Sequence, residues 1–144
     1  MKVLISGHRK SKLANYDIKW ISNEIERLIF ENPAIIGLSG MADGIDLLYC
    51  QLLLQYRRGY HCYIPFDEQD KYMSDHDKTW RQSLIDSSWA VIKAKNSQMV
   101  SDCDYGIIVW DGNKGGTHNV FQQMLEAKKN FWWIEPHNQK VIYF

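Results

Sequence analysis

Short apolar runs alternate with longer stretches of helical period from one end of the chain to the other, and that alternation leaves few folds open. Val3-Leu4-Ile5 predicts a first buried strand ending at Ser6-Gly7. From Asp17 to Phe30, Ile18, Ile21, Ile25, Leu28 and Ile29 fall three and four residues apart, giving one apolar helix face that Asn32-Pro33 stops. Ala34 to Leu38 reads as a second strand and Asp43 to Arg57 as a second helix, with Ile45, Leu48, Leu52 and Tyr56 toward the core. A third strand runs from Tyr60 to Ile64 and is ended by Pro65; Ala90-Val91-Ile92 is a shorter one. Tyr105 to Trp110 is the clearest strand, followed by a glycine turn and a helix from Thr117 to Lys129. Phe131 to Glu135 and Lys140 to Phe144 complete the series, the last as an edge strand.

Strands joined through helices are not tight hairpins, and strands apolar on both faces need helices over both. The expected fold is therefore α/β: a Rossmann-like, doubly wound, mostly parallel sheet with helices on both faces. With 144 residues and no Gly/Ser/Pro-rich linker, residues 1–144 form one domain, long enough to bury roughly two thirds of its unfolded surface. Seventeen basic and seventeen acidic residues cancel, which argues against a broad electropositive face for duplex nucleic acid or anionic lipid but allows a small basic pocket. No apolar run approaches the ~20 residues that span a bilayer, and the start is too quickly polar for a signal peptide. The expectation is a cytoplasmic protein without a membrane partner. Cys50, Cys62 and Cys103 are odd in number and lack a CxxC pair, so they read as buried reduced thiols.

Right-handed crossovers bring every strand-to-helix turn to one edge of the sheet. The turns at Gly7-His8-Arg9, at Ser39 to Gly44, at Pro65-Phe66-Asp67 and at Asp111 to Thr117 therefore open on one crevice. In the last of these, Gly115 and Gly116 precede a helix start, Thr117 offers an N–H and a hydroxyl, and Lys114 adds a cation, which together make a phosphate cradle. The structural alternative is a glycine turn with Thr117 as an ordinary N-cap. The loop is neither GxxxxGK[ST] nor GxGxxG. Asp43 and Asp46, in or near a first helical turn, suit ribose hydroxyls better than phosphate; structurally, Asp43 is a good cap. His8, Arg9 and Lys10 form a small cationic cluster. His118 and Asn119 lie just inside the last site helix, where their direction decides whether they face a ligand.

Taken together, Ile5-Ser6-Gly7-His8-Arg9, Ser39 to Asp46, Met99 to Asp104, Val109-Trp110-Asp111-Gly112 and Gly115-Gly116-Thr117-His118-Asn119 resemble the SLOG superfamily, and within it the YpsA-like branch. The superfamily is named for the Smf/DprA DNA-processing proteins and the LOG phosphoribohydrolases, and its members share a Rossmann-like sheet that binds nucleotides or nucleotide-derived ligands. The resemblance implies a pocket lined by Gly7, Arg9, Gly40, Gly44, Asp46, Asp111, Gly115, Gly116 and Thr117, taking an ADP-ribose-like or other nucleotide ligand. LOG enzymes carry a glutamate three positions after the threonine, and here that position is Val120. N-glycosidic hydrolysis would then need a substitute carboxylate, with Asp46 and Asp111 as the candidates. No metal or cofactor is expected.

The polar and aromatic segment from Asp67 to Ser88 reads as a short helical cap over the crevice, with Tyr72 or Trp80 stacking on a base and Gln69 reading its edge; Trp80 also fits a core position. Asp75-His76-Asp77 reads as a solvated loop rather than a metal site. Six tryptophans and eight tyrosines exceed what a small core readily absorbs, and part of the surplus is expected in a homo-oligomeric interface.

Overall fold

In the computed structural model, which describes all residues from Met1 to Phe144, each apolar run becomes a strand and each periodic stretch a helix. The order is β1 (Lys2–Gly7), α1 (Lys10–Leu13), α2 (Ile18–Phe30), β2 (Ile36–Ser39), α3 (Ile45–Gln55), β3 (Gly59–Tyr63), α4 (Asp75–Asp86), β4 (Ala90–Ile92), α5 (Asn96–Asp102), β5 (Tyr105–Val109), α6 (Gly116–Glu126), β6 (Phe131–Glu135) and β7 (Lys140–Tyr143). Asp17 caps α2 by accepting a hydrogen bond from the Trp20 amide at 3.1 Å. The helix ends at Phe30, just before Asn32-Pro33. The short α1 and α5 are not foreshadowed by periodicity, because α5 buries only Met99 and Val100 and α1 only Leu13.

The seven strands lie in the order β4-β3-β2-β1-β5-β6-β7, all parallel except β7, which pairs antiparallel with β6. This is a Rossmann-like doubly wound sheet. Chain order runs outward from β1 to β4 on one side and from β5 to β7 on the other. Val3 and Ile5 pack into one layer with α2, α3 and α4, whereas Leu4 packs into the opposite layer with α5 and α6. All three side chains are fully buried. The Phe131-Trp132-Trp133 run divides the same way. Trp132 meets Tyr143, with ring centroids 4.6 Å apart, beside the first layer, and Trp133 joins Trp110, Phe121 and Phe144 in the second. Much of the aromatic content is thus absorbed within the chain, while Phe30, Phe66, Tyr72, Trp89 and Tyr143 stay more than half exposed. Cys50, Cys62 and Cys103 are free, buried thiols. No helix is long and apolar enough to cross a membrane.

Helix α5 carries the chain from the outer strand β4 back to β5. Its C-terminal carbonyls are tied down by Lys129, whose ammonium donates to the carbonyl oxygens of Val100, Ser101 and Cys103 at 2.7, 2.8 and 2.7 Å. A cation there complements the negative end of the helix. Replacing Lys129 by Met should destabilise the fold by about 2–3 kcal/mol, because charge-assisted bonds are lost and carbonyls are left unpaired. Urea unfolding measures it; a loss below about 0.5 kcal/mol would show that the lysine does not hold α5.

Candidate ligand-binding crevice

Strand order reverses between β1 and β5, so the turns that follow them diverge to opposite faces and leave a crevice beyond the strand ends. The cavity there measures about 850 Å³. Turns after five strands line it: Ser6, Gly7, His8 and Arg9 after β1, Gly40 and Asp46 after β2, Pro65 and Phe66 after β3, Lys95, Asn96 and Ser97 after β4, and Asn113 to Asn119 after β5.

The β5 turn is held by its own residues. The Trp110 indole N–H donates to the Asn113 carbonyl at 2.7 Å, and the Asn113 amide donates to Asp111 Oδ1 at 3.0 Å. Gly112, at φ +90°, and Gly115, at φ +155°, adopt backbone conformations that side-chain-bearing residues avoid. Gly115 is the N-cap of α6, so Thr117 sits at the second helical position and is buried rather than capping. The amides of Gly116, Thr117 and His118 donate to no group of the chain. Lys114, His118 and Asn119 all line the crevice, with the His118 ring stacked on Trp110 at 5.1 Å.

Behind that loop, His8 and Asp111 lock the β1 and β5 turns together. The Asp111 amide donates to His8 Nε2 at 2.9 Å, which assigns the remaining ring proton to Nδ1. Burial lowers the His8 pKa, against the opposing pull of Asp111. Burial also works against ionisation of Asp111, but the Asn113 amide, His8 and the Tyr16 hydroxyl at 3.0 Å hold its pKa below the ordinary carboxylate value. Lys12 Nζ lies 3.7 Å from the same carboxylate. Asp111 is therefore a strut behind the wall, and it is not among the residues that line the crevice.

The β2 turn needs the same distinction. A Cβ on Gly7 would lie 2.5 Å from Ile45, and one on Gly44, at φ +85°, would lie 2.5 Å from the His8 carbonyl. These two glycines let the start of α3 press onto the β1 turn, and only Gly7 also reaches the crevice. Gly44, not Asp43, is the N-cap of α3. Asp43 is not among the residues that line the crevice, and its Oδ1 is buried without a partner. Asp46 does line the crevice although it is only 8% exposed. Its Oδ2 accepts from the Ala42 amide at 3.2 Å, and its Oδ1 accepts from no group of the chain. The first-turn location suggests a carboxylate kept ionised, but burial dominates and pushes its pKa up to about 7, against the Ala42 amide and Arg9. A Cβ on Gly40 would fall 3.2 Å from Asp46 Oδ2 and 3.3 Å from Asn96 Oδ1, so that glycine leaves the two groups facing a common space.

The 67–88 segment is only partly a cap. Pro65, Phe66 and Gln69 reach the crevice. Tyr72 points to solvent at 91% exposure, and Trp80 turns to α3, where its indole N–H donates to Gln51 at 2.9 Å. Gln69 is engaged in bracing: its amide donates to the Gly40 carbonyl at 2.7 Å and accepts from Arg81 Nη2 at 2.9 Å. Arg81, itself buried, also donates through Nε to the carbonyl of Met41, a residue at φ +59°. Asp75-His76-Asp77 opens helix α4 instead of forming a loop. Ser74 caps it, and Asp77 is buried against Lys10 at 3.2 Å.

Sequence reasoning missed Lys12, Lys95, Asn96, Ser97 and Gln123 in the lining. Lys95 to Ser97 follow the shortest parallel strand, and the rule that such turns open to the crevice would have found them. The lining carries four cations, Arg9, Lys12, Lys95 and Lys114, against the single carboxylate Asp46, in a chain of zero formal charge. Arg9, Lys95 and Lys114 form no ion pair within the chain. No protein-family model matches this chain, and no curated protein does.

The raised pKa of Asp46 has a thermodynamic signature. Between about pH 4 and 7 the folded state holds a proton that the unfolded state has released, so this group's contribution to stability falls as pH rises. Asp46→Asn should therefore be more stable than the wild type at pH 8 by about 2–4 kcal/mol, the gap closing toward pH 4. Equal stabilities at pH 8 in denaturant titrations would show that Asp46 is not held against ionisation.

Proposed function

We propose that the crevice binds a nucleotide or an ADP-ribose-like derivative, with a phosphate on Gly115-Gly116-Thr117 and the ribose beside Asp46. Gly116 is the observation that carries this reading. Its φ is not positive, and a Cβ added there would meet nothing within 4 Å, so no contact inside the chain calls for glycine. Glycine in place of alanine still costs about 0.4–1 kcal/mol through the greater entropy of the unfolded chain. A bare backbone at that point serves a group from outside the chain that approaches the unpaired amides of Gly116, Thr117 and His118. A phosphate matches in charge, in its several acceptor oxygens, and in the nearby Lys114 and Arg9. The free Oδ1 of Asp46 suits a ribose hydroxyl. The resemblance to SLOG proteins supports the same assignment.

A second reading, N-glycosidic hydrolysis, draws on the pKa of Asp46 near 7, which suits proton transfer at neutral pH. Val120, at the position of the LOG glutamate, is fully buried in the α5–α6 layer and outside the crevice lining, so Asp46 would have to act without it.

Gly116→Ala separates ligand binding from fold maintenance. It should raise the stability of the ligand-free protein by about 0.5–1 kcal/mol while weakening ADP binding by on the order of 10-fold or more. Calorimetry showing ADP affinity unchanged in that variant would sink the phosphate cradle. Asp46→Asn should weaken binding by about 1–3 kcal/mol, with no free base released by either protein. Base release by the wild type that drops ~100-fold in Asp46→Asn at unchanged affinity would select hydrolysis instead.

A further inference from the structure

We propose that Phe66 is the stacking platform for the ligand's base, and that the ligand is a nucleoside diphosphate or a diester of one, laid along the sheet edge. The inference rests on the phosphate-and-ribose reading above. Phe66 is 56% exposed, and it is the only Phe, Tyr or Trp in the crevice lining. The other strongly exposed aromatic residues, Phe30, Tyr72, Trp89 and Tyr143, lie outside the crevice. An apolar ring left open inside a polar cleft matches the π-face of a base, which stacks on aromatic side chains with little regard to sequence.

The loop that presents this ring is braced. The Gln69 amide donates to the Phe66 carbonyl at 3.3 Å, the Gln69 side chain to the Gly40 carbonyl at 2.7 Å, and buried Arg81 to both Gln69 and Met41. On the other side the Ala94 amide donates to the Ile64 carbonyl at 3.2 Å, and Lys93 meets Asp67 at 3.1 Å. Arg81 has no carboxylate partner within 4 Å. Its guanidinium is spent on fixing the β2 and β3 turns relative to each other, which also sets the spacing between Asp46 and Phe66.

Sheet order supplies the ruler. From β5 across β1 to β2 is two strand spacings, about 10 Å, and β3 lies one further, at about 14 Å. The phosphate loop follows β5, Asp46 follows β2 and Phe66 follows β3, so phosphate, sugar and base are met in the order in which a nucleotide carries them. The full interval is longer than a ribose and one phosphate bridge, and a second phosphoryl group fills it beside Arg9. Asn96 and Ser97, whose side chains have no partner within the chain, stand on the neighbouring turn as donors and acceptors for the base edge.

The test is calorimetric titration of pyrophosphate, AMP and ADP into the wild type, Phe66→Ala, Phe66→Leu and Phe66→Trp. Wild type should bind ADP at least about 10-fold more tightly than either pyrophosphate or AMP. Phe66→Ala and Phe66→Leu should each lower ADP affinity by on the order of 10-fold and change pyrophosphate affinity by less than about twofold, whereas Phe66→Trp should keep ADP affinity. An unchanged ADP affinity in Phe66→Ala, or an equal loss for pyrophosphate, overturns the platform. Pyrophosphate binding without any gain for ADP also overturns it and leaves the phosphate cradle standing. AMP as tight as ADP removes the diphosphate. A wild type that binds neither pyrophosphate nor ADP removes the phosphate reading and this inference together.

Discussion

Complete burial of three consecutive side chains, Val3, Leu4 and Ile5, is the constraint on which the rest of the architecture depends. Successive strand residues face opposite sides of a sheet, so this strand needs helices above and below it. The chain meets that demand by winding β2, β3 and β4 outward with α2, α3 and α4 on one face, then returning through α5 to wind β5 and β6 with α6 on the other. Reversal beside β1 follows, and with it a crevice where turns from both halves of the sheet diverge. The site is thus a by-product of satisfying the apolar strand, and the turns that line it are free to carry polar chemistry.

That freedom is used unevenly. Around His8, Asp111, Tyr16 and Lys12 the polar groups satisfy one another and join the β1 and β5 turns into one rigid wall. Such a closed network has little left to offer a ligand. Asp46 is the opposite case. It is buried, supported by one backbone amide, and burial raises its pKa toward neutrality against that amide and Arg9. A group held at the expense of stability beside a cavity is more readily understood as part of a site than as part of the scaffold.

Much of the sheet was legible because its strands carry a simple signal. Val3-Leu4-Ile5 and Tyr105 to Val109 are apolar on both faces, and the Ile21, Ile25, Leu28 and Ile29 stripe has a clean helical period. Boundaries were less legible: α3 begins at Ile45 rather than at Asp43, since Gly44 at positive φ must press against the His8 carbonyl. That packing depends on a tertiary neighbour some 35 residues away in sequence and leaves no local trace beyond the glycine itself. The glycine loop was readable as a turn with exposed amides. Which carboxylate faces the crevice was not, because Asp43, Asp46 and Asp111 look alike in sequence, and their burial is decided by how α3 and α1 pack against β1.

The reach of α4 into the site was equally hidden, and for an instructive reason. Trp80 and Tyr72 carry the bulk and aromaticity that suggest a ligand contact, yet Trp80 fills the joint with α3 and Tyr72 is solvated. The residues of this segment that shape the crevice are polar ones acting on backbone. Arg81 and Gln69 hold the carbonyls of Met41 and Gly40, so a strained turn at φ +59° is kept in place by a helix that begins more than 30 residues later. Substitution at Arg81 would remove the bonds that hold the Met41 carbonyl and Gln69, and with them the support of the turn that leads to Asp46. The specificity of such a crevice resides as much in the brace behind it as in the groups that line it, and a buried cation without a carboxylate partner is the mark by which the brace is recognised.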